Sequence, residues 1–220
     1  IFMVARFSPL FELSDAALSF ILVIGAITAL SMGLLGIVQN DIKRVVAYST
    51  LSQLGYMTVA LGVSAYSPAL FHLMTHAFFK ALLFLAAGSV IIALHHQQDI
   101  RKMGGLAKKM PITFITFLIG ALALIGFPGT AGFYSKESIV YAVQASTLPG
   151  ATFAYWAVFA GVFVTAFYTF RMFFLVFFGE PRMSQEEYDH VKETPKVVTV
   201  PLILLAVPSL IVGFLVIEPM

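Results

Sequence analysis

The sequence predicts an all-α integral membrane protein of about six transmembrane helices with the fourth one broken, and three observations lead there. Only 11% of the 220 residues are charged and 60% are hydrophobic, with a mean hydropathy of +0.94. A soluble domain needs about 25% charged residues to face water, so this chain must turn much of its surface to lipid. Runs of about 20 mainly apolar residues, the length a helix needs to cross the hydrocarbon core, recur from end to end. The basic residues, finally, gather in alternate loops, as chains that thread a membrane arrange them.

Taken in order, the spans are expected at 15–38, 43–63, 68–94, 111–147, 151–178 and 197–217. The fourth, PITFITFLIGALALIGFPGTAGFYSKESIVYAV, is too long for one plain crossing and carries Gly126, Pro128, Gly129 and Gly132 in its middle. Proline removes a backbone donor and glycine loosens the helix, so two half-helices around a break are expected, with a re-entrant hairpin as the alternative. One side of the membrane receives Lys43 and Arg44, then Arg101, Lys102, Lys108 and Lys109, then Arg182, Lys192 and Lys196. The loops near Ser64–Ser67 and Gln144–Gly150 receive none, and only Arg6 lies near the start. This asymmetry places the basic loops in the cytoplasm or its topological equivalent. It also counts the broken segment as one crossing, because two would carry the 179–196 loop to the opposite side. The opening IFMVARF reads as the tail of a preceding hydrophobic helix, without a recognisable signal peptide, and VIEPM stops as an apolar run reaches the interface. Residues 1–14 are therefore expected to end an earlier helix and its loop within a longer chain.

A formal net charge of +2, scattered over short loops, gives nucleic acid nothing to bind. With no cysteine the chain holds no disulfide, Fe–S cluster or thiolate zinc site, so redox chemistry is expected in other subunits and no cofactor or metal is assigned to this one.

The charges placed where lipid should be carry the chemistry. In the third span, PALFHLMTHAFFKALLF, Lys80 lies 12 residues past Pro68 and 14 before Leu94. A lysine at that depth costs on the order of 2.5–3.5 kcal/mol, so it should face the bundle interior or a hydrated cavity. His72, His76 and Lys80 follow at i, i+4 and i+8 on one helical stripe. Neighbours at that spacing lie about 5–6 Å apart at Cβ, close enough for a water to bridge them, and imidazole titrates near neutral pH. The stripe reads as a proton path; packing alone accounts poorly for three titratable groups in line. A His-X3-His pair can also hold metal or haem, but a facing pair of histidines is wanting, since His95, His96 and His190 fall in loops.

Lys136 and Glu137 follow the break and point about 100° apart around their helix. Irregular backbone beside a titratable pair suggests a gate or terminal proton site; the plainer reading has both reach the far interface. In the second span Ser49, Ser52, Gln53 and Tyr56 fall at i, i+3, i+4 and i+7, a polar face that either bonds helix to helix or orients water along a path. Lys43 and Arg44 stand where that span enters the membrane, by default as anchors. The stretch HHQQDIRKMGGLAKKMP reads as a surface connector turned by Gly104 and Gly105, and Met183–Lys196 as a polar loop without a motif.

The segments DIKRVVAYSTLSQLGYM, FHLMTHAFFKALLFLAAGSVI, DIRKMGGL and FPGTAGFYSKESI closely resemble the antiporter-like subunits of respiratory complex I, and the last two look most like its distal L, or chain 5, type. The likeness runs to about Gly179 and thins beyond. It implies a complete protein of two inverted five-helix repeats, each with a broken helix. This chain would carry the second repeat over 15–178, a cytoplasmic-side loop over 179–196 and one further helix over 197–220, without the first repeat and the long lateral helix. It implies a proton-relay role for Lys80, with His72 and His76 beside it, a connecting role for Lys43, and a terminal role toward the outside for Lys136. Glu137 stands where the family often has Asp. The implied setting is a proton-translocating NADH:quinone oxidoreductase of the bacterial inner membrane. There NAD, FMN, Fe–S clusters and quinone belong to other subunits, and a homologous antiporter-like subunit and lipid are the neighbours. Cation/proton antiporter and membrane-hydrogenase subunits share these helices and are the nearest alternative; a structural scaffold is the other.

Overall fold

Helix after helix follows from the apolar runs, and capping residues fix where some of them begin. The computed structural model describes residues 1–217, so the last three residues of the helix expected over 197–220 lie outside the described residues. The order is α1 (Phe2–Arg6), α2 (Ser8–Phe11), α3 (Asp15–Val38), α4 (Ile42–Gly62), α5 (Tyr66–Ala93), a 3-10 turn (Ile100–Lys102), α6 (Pro111–Ile125), α7 (Ala131–Ala145), α8 (Ala151–Phe177), α9 (Gln185–His190) and α10 (Lys196–Ile217). The described residues contain no strand, only an isolated antiparallel bridge between Asp41 and Asp99. Ser14 caps α3 by accepting from the Ala17 N–H, and Asp41 caps α4 by accepting from those of Lys43 and Arg44. Pro111 opens α6 at the position where its missing N–H matters least.

Four helices, α3, α5, α8 and α10, are long and apolar enough to cross a membrane, and α6 is a shorter apolar helix. α4 has 21 residues, about 31 Å at 1.5 Å per residue, but it is more polar because Ser49, Ser52, Gln53 and Tyr56 are turned into the bundle rather than to lipid. The chain is a multi-pass integral membrane protein. The expected fourth span is two half-helices as anticipated, separated at 126–130. α6 packs into an apolar cluster at the basic end, with Phe117 and Leu124 among Ile42, Leu82, Met110 and Phe173. α7 packs into a second cluster at the opposite end, with Ile139 and Val143 among Leu22, Leu61 and Ala154. The pair therefore runs from one end of the bundle to the other, which favours one interrupted crossing over a hairpin.

Two connectors differ from expectation. The 95–110 stretch is more than a surface connector: Ile100, Met103, Leu106 and Met110 are fully buried. Their spacing lets one face of an irregular segment plug the end of the bundle while Arg101, Lys102 and Lys108 stay outside. Hydrogen bonds from the Arg101 side chain and its backbone N–H hold the Asp99 carboxyl down at about 2. This clamp is complete above the ordinary carboxylate range and is released only as the pH falls through that value. The polar 179–196 stretch contains α9, opened by a capping box between Ser184 and Glu187, and His190 ends that helix rather than lying in a loop. It also supplies Glu193, whose carboxylate accepts from the N–H groups of Ile112 (2.8 Å) and Thr113 (3.2 Å) and from the Thr113 hydroxyl (2.6 Å). This carboxylate caps α6 from outside the helix, with the favourable sign for its dipole. Ser89 on α5 joins Thr113 and Thr194 at 2.8 Å each, tying the loop to α5 as well. Glu193→Ala should therefore cost about 1–2 kcal/mol. The measurement is limited proteolysis of the purified full-length protein, where residues 179–192 are expected to be cut faster in the variant; equal cutting would show that the cap carries no stability.

Candidate functional site

The interior of the bundle holds a band of polar side chains between the two apolar clusters, and α4 and α5 build most of it. His72, His76 and Lys80 on α5 are 0%, 6% and 4% exposed, and Lys136 on α7 is 4% exposed. None of the four points to lipid. Among the described residues neither Lys80 nor Lys136 forms an ion pair with a carboxylate.

The polar face of α4 meets these groups in turn. Lys80 Nζ donates to Ser49 Oγ at 2.6 Å and to the Val46 carbonyl at 3.3 Å. Ser49 Oγ in turn lies 2.7 Å from Tyr168 OH on α8. One turn along α4, Gln53 Oε1 lies 3.0 Å from His72 Nε2, while His72 Nδ1 lies 2.9 Å from Ser135 Oγ on α7. Gln53 Oε1 can only accept, so Nε2 carries a proton, and in the neutral ring the Ser135 hydroxyl donates to Nδ1. Thr75 joins the same serine at 2.9 Å. A further turn on, the Tyr56 ring lies 5.2 Å from Lys136 Nζ, and its hydroxyl donates to the Val158 carbonyl at 2.7 Å. Ser52 serves as helix glue, donating to the Ala29 carbonyl of α3 at 2.7 Å. From Ser49 to Tyr56 the band extends about 10 Å along α4. His72 and His76 are neighbours, ring centroids 6.0 Å apart, and His76 meets Phe79 edge to face at 5.4 Å. Two buried polar atoms inside the band, His76 Nε2 and Gln53 Nε2, have no protein partner.

The break is built around Lys136. Gly126 ends α6 in the left-handed region at φ 79, which a side chain rarely adopts; Pro128 and Gly129 (φ 88) complete the turn. The interruption leaves carbonyls of α6 without helical partners, and Lys136 Nζ donates to one of them, Leu124 O, at 2.9 Å. Gly132 makes the approach possible, since a Cβ there would lie 1.8 Å from Ala123 O. Gly213 of α10 sits on the same turn, its would-be Cβ 2.5 Å from Ala131 Cα.

Two predicted residues lie apart from this line. Lys43 is exposed in the first turn of α4, and Glu137 turns outward while its neighbour Lys136 turns in, as the angle between consecutive residues requires. Tyr168, Ser135, Thr75 and Arg171 were not singled out from sequence. Thr165, Tyr168 and Thr169 fall at i, i+3 and i+4 and are all fully buried, the pattern that marks α4, but here it is hidden among phenylalanines. Arg171 donates to the Gln39 carbonyl at 2.8 Å and to Asn40 Oδ1 at 2.7 Å, fastening the turn before α4.

A bundle with one interrupted helix and lysines buried between its membrane-crossing helices defines a class of multi-pass membrane subunits. The family described as NADH:quinone oxidoreductase/Mrp antiporter, transmembrane, matches residues 1–169, and the chain belongs to it. Subunit L of the NADH-quinone oxidoreductase of Neisseria meningitidis serogroup A is 64% identical over all of this chain and 35% of its own length. Chain 5 of the NADH-ubiquinone oxidoreductase of Marchantia polymorpha is 50% identical over 98% of this chain and 32% of its own. The chain thus spans about a third of the curated relatives it matches, and they are of the L and chain 5 type that the DIRKMGGL and FYSKESI segments resemble. Among solved structures, the membrane-bound sulfane sulfur reductase, an archaeal respiratory membrane complex, aligns with TM-score 0.80 at 33% identity over 89% of this chain and 32% of that one. The Mrp complex from Dietzia sp. DQ12-45-1b shares the fold, with TM-score 0.80 at 21% identity over 91% of this chain and 45% of that one. α10 lies beyond the family match, yet it packs on the break.

Gly132→Ala should part the half-helices and cost about 1–3 kcal/mol through overpacking. Gly88→Ala on α5, where the added methyl meets nothing within 4 Å, should leave stability unchanged or raise it. Thermal unfolding midpoints of the two full-length variants in detergent check this, and equal midpoints would sink the steric account of the break.

Proposed function

We propose that the chain forms part of a proton-translocating subunit of an NADH:quinone oxidoreductase of the bacterial inner membrane. In this reading protons pass along Lys80, His76 and His72 to Lys136. The observation that carries it is the burial of four titratable side chains in one band, where Lys80 bonds Ser49, His72 meets Gln53 and Ser135, and Lys136 lies over the Tyr56 ring, with no carboxylate paired to either lysine among the described residues. Hydroxyls and imidazoles both donate and accept, so a proton entering at one end can leave at the other once each group turns. His76 Nε2 and Gln53 Nε2 supply polar atoms for a bridging water between the Lys80 and His72 groups. Lys43 connects the line to the basic surface. Lys136, with Glu137 on the outer side of the same helix, ends it near the break that Gly126, Pro128, Gly129 and Gly132 create. Ser49, Gln53 and Tyr56 line the path.

Redox chemistry belongs to other subunits in this reading, with NAD, FMN, Fe–S clusters and quinone held there, and a homologous antiporter-like subunit adjoins this one in the membrane. In the assembled complex Lys80→Ala should leave assembly and NADH oxidation by the solubilised enzyme intact. It should lower proton uptake into inverted vesicles about tenfold, equivalent to ~1.4 kcal/mol on the transfer step. Lys80→Arg, which keeps the charge but binds its proton too tightly to pass it on, should not restore transport. A scaffold would pump normally after either change, and that result ends the proposal.

A further inference from the structure

On the basic face, away from the buried band, a cavity of about 520 Å³ opens where α5 ends, lined by His95, His96, Lys102, Arg182 and Glu187 with Leu94 and Met183 as an apolar wall. Its backbone is unusual. α5 closes with the His96 N–H donating to Ile91 O (2.9 Å) and the His95 N–H to Ile92 O (3.3 Å). This is a Schellman turn, whose first residue beyond the cap takes the left-handed conformation that glycine ordinarily supplies. Here His95 at φ 49 and His96 at φ 72 both hold that conformation. Glycine would close the helix without strain, so two exposed imidazoles in succession point to a use for the rings rather than for the turn.

The charges agree. Lys102 is exposed, and its amine has no carboxylate or hydrogen-bond partner among the described residues. The Arg182 guanidinium is fixed by the carbonyls of Arg101, Ile100 and Leu175, which orient it without neutralising it. The one carboxylate in the wall, Glu187, already accepts the Ser184 N–H at 3.0 Å. Two cations thus share the lining with one engaged anion and two imidazoles. The volume is far larger than a bare ion needs, and the cavity lies at the end of α5, where Ile92, one residue before the lining begins at Ala93, is 54% exposed. Basic pockets at the cytoplasmic ends of transmembrane helices suit phosphate headgroups.

We propose that this cavity binds the phosphate of an anionic phospholipid, with Lys102 and Arg182 supplying charge and His95 and His96 supplying ring donors. Native mass spectrometry of the full-length protein, titrated with phosphatidylglycerol or phosphatidylcholine, tests it. Phosphatidylglycerol should bind preferentially, and its binding should weaken by about tenfold, ~1.4 kcal/mol, in a variant combining His95→Asn, His96→Asn and Lys102→Gln. Asparagine tolerates the left-handed turn. Lys102→Gln alone, which leaves the turn untouched, should weaken binding in the same direction. Lys108→Gln, removing an equal charge from the same face outside the cavity, should have little effect. Inorganic phosphate at equal concentration should not displace the lipid; displacement would make free phosphate the ligand and overturn the lipid assignment. Losses no larger in the Lys102 variants than in Lys108→Gln, or equal binding of phosphatidylcholine, would overturn the site itself.

Discussion

Inside hydrocarbon a stray polar group is costly, so most of the buried ones must find a partner in the protein. Nearly every departure of this chain from a plain bundle of greasy helices follows from that constraint acting on Lys80, His72, His76 and Lys136. α4 is more polar than its neighbours because Ser49, Gln53 and Tyr56 serve those groups, and for the same reason it must stand inside the bundle. α8 brings Tyr168 to Ser49 and α7 brings Ser135 to His72. The side chains that receive the titratable groups also join four helices, so one set of contacts accounts for both packing and chemistry.

The two apolar clusters give the band its limits. At the basic end, Ile42, Val45, Leu82, Phe117, Phe173 and the buried residues of the 95–110 segment close around it. At the other end Leu22, Leu61, Ala69, Ile139 and Ala154 do the same. Low polarizability on both sides keeps any charge in the band strongly felt along its length. A proton added near Ser49 alters the field at Tyr56, about two turns away, far more than it would in water. The dry ends and the polar middle therefore work as one electrostatic unit.

Periodicity made most of this legible. The apolar runs placed the spans to within one or two residues, and the spacing of His72, His76 and Lys80 placed all three on one buried stripe. Pro128 and its glycines located the break, because backbone chemistry there is local. Contacts made from far along the chain were hidden. Ser135 sat unremarked beside Lys136, Tyr168 was lost in an aromatic helix, and Glu193 capped α6 from 80 residues away. Burial of Ile100, Met103, Leu106 and Met110 was missed because an irregular segment has no period to read. The α4 polar face could not be divided between glue and path from spacing alone, since a serine that bonds a carbonyl and one that bonds an ammonium look alike in sequence.

A lysine at a helix break has a property that neither arginine nor a carboxylate shares. The ammonium has three N–H donors, and the neutral amine keeps two with a lone pair. Leu124 O, the carbonyl freed by the break, can therefore stay satisfied whether Lys136 holds its proton or has given it up. A guanidinium would satisfy the carbonyl but not release the proton, and an ionised carboxylate has no donor to offer it. The same logic holds at Lys80, where Ser49 Oγ accepts from the ammonium and can turn to donate to the free amine, while Tyr168 OH reverses with it. Both lysines sit among partners that remain hydrogen-bonded in either protonation state, so a change of charge need not leave a buried group orphaned. That tolerance is what allows a titratable group to survive at this depth with no counter-ion among the described residues.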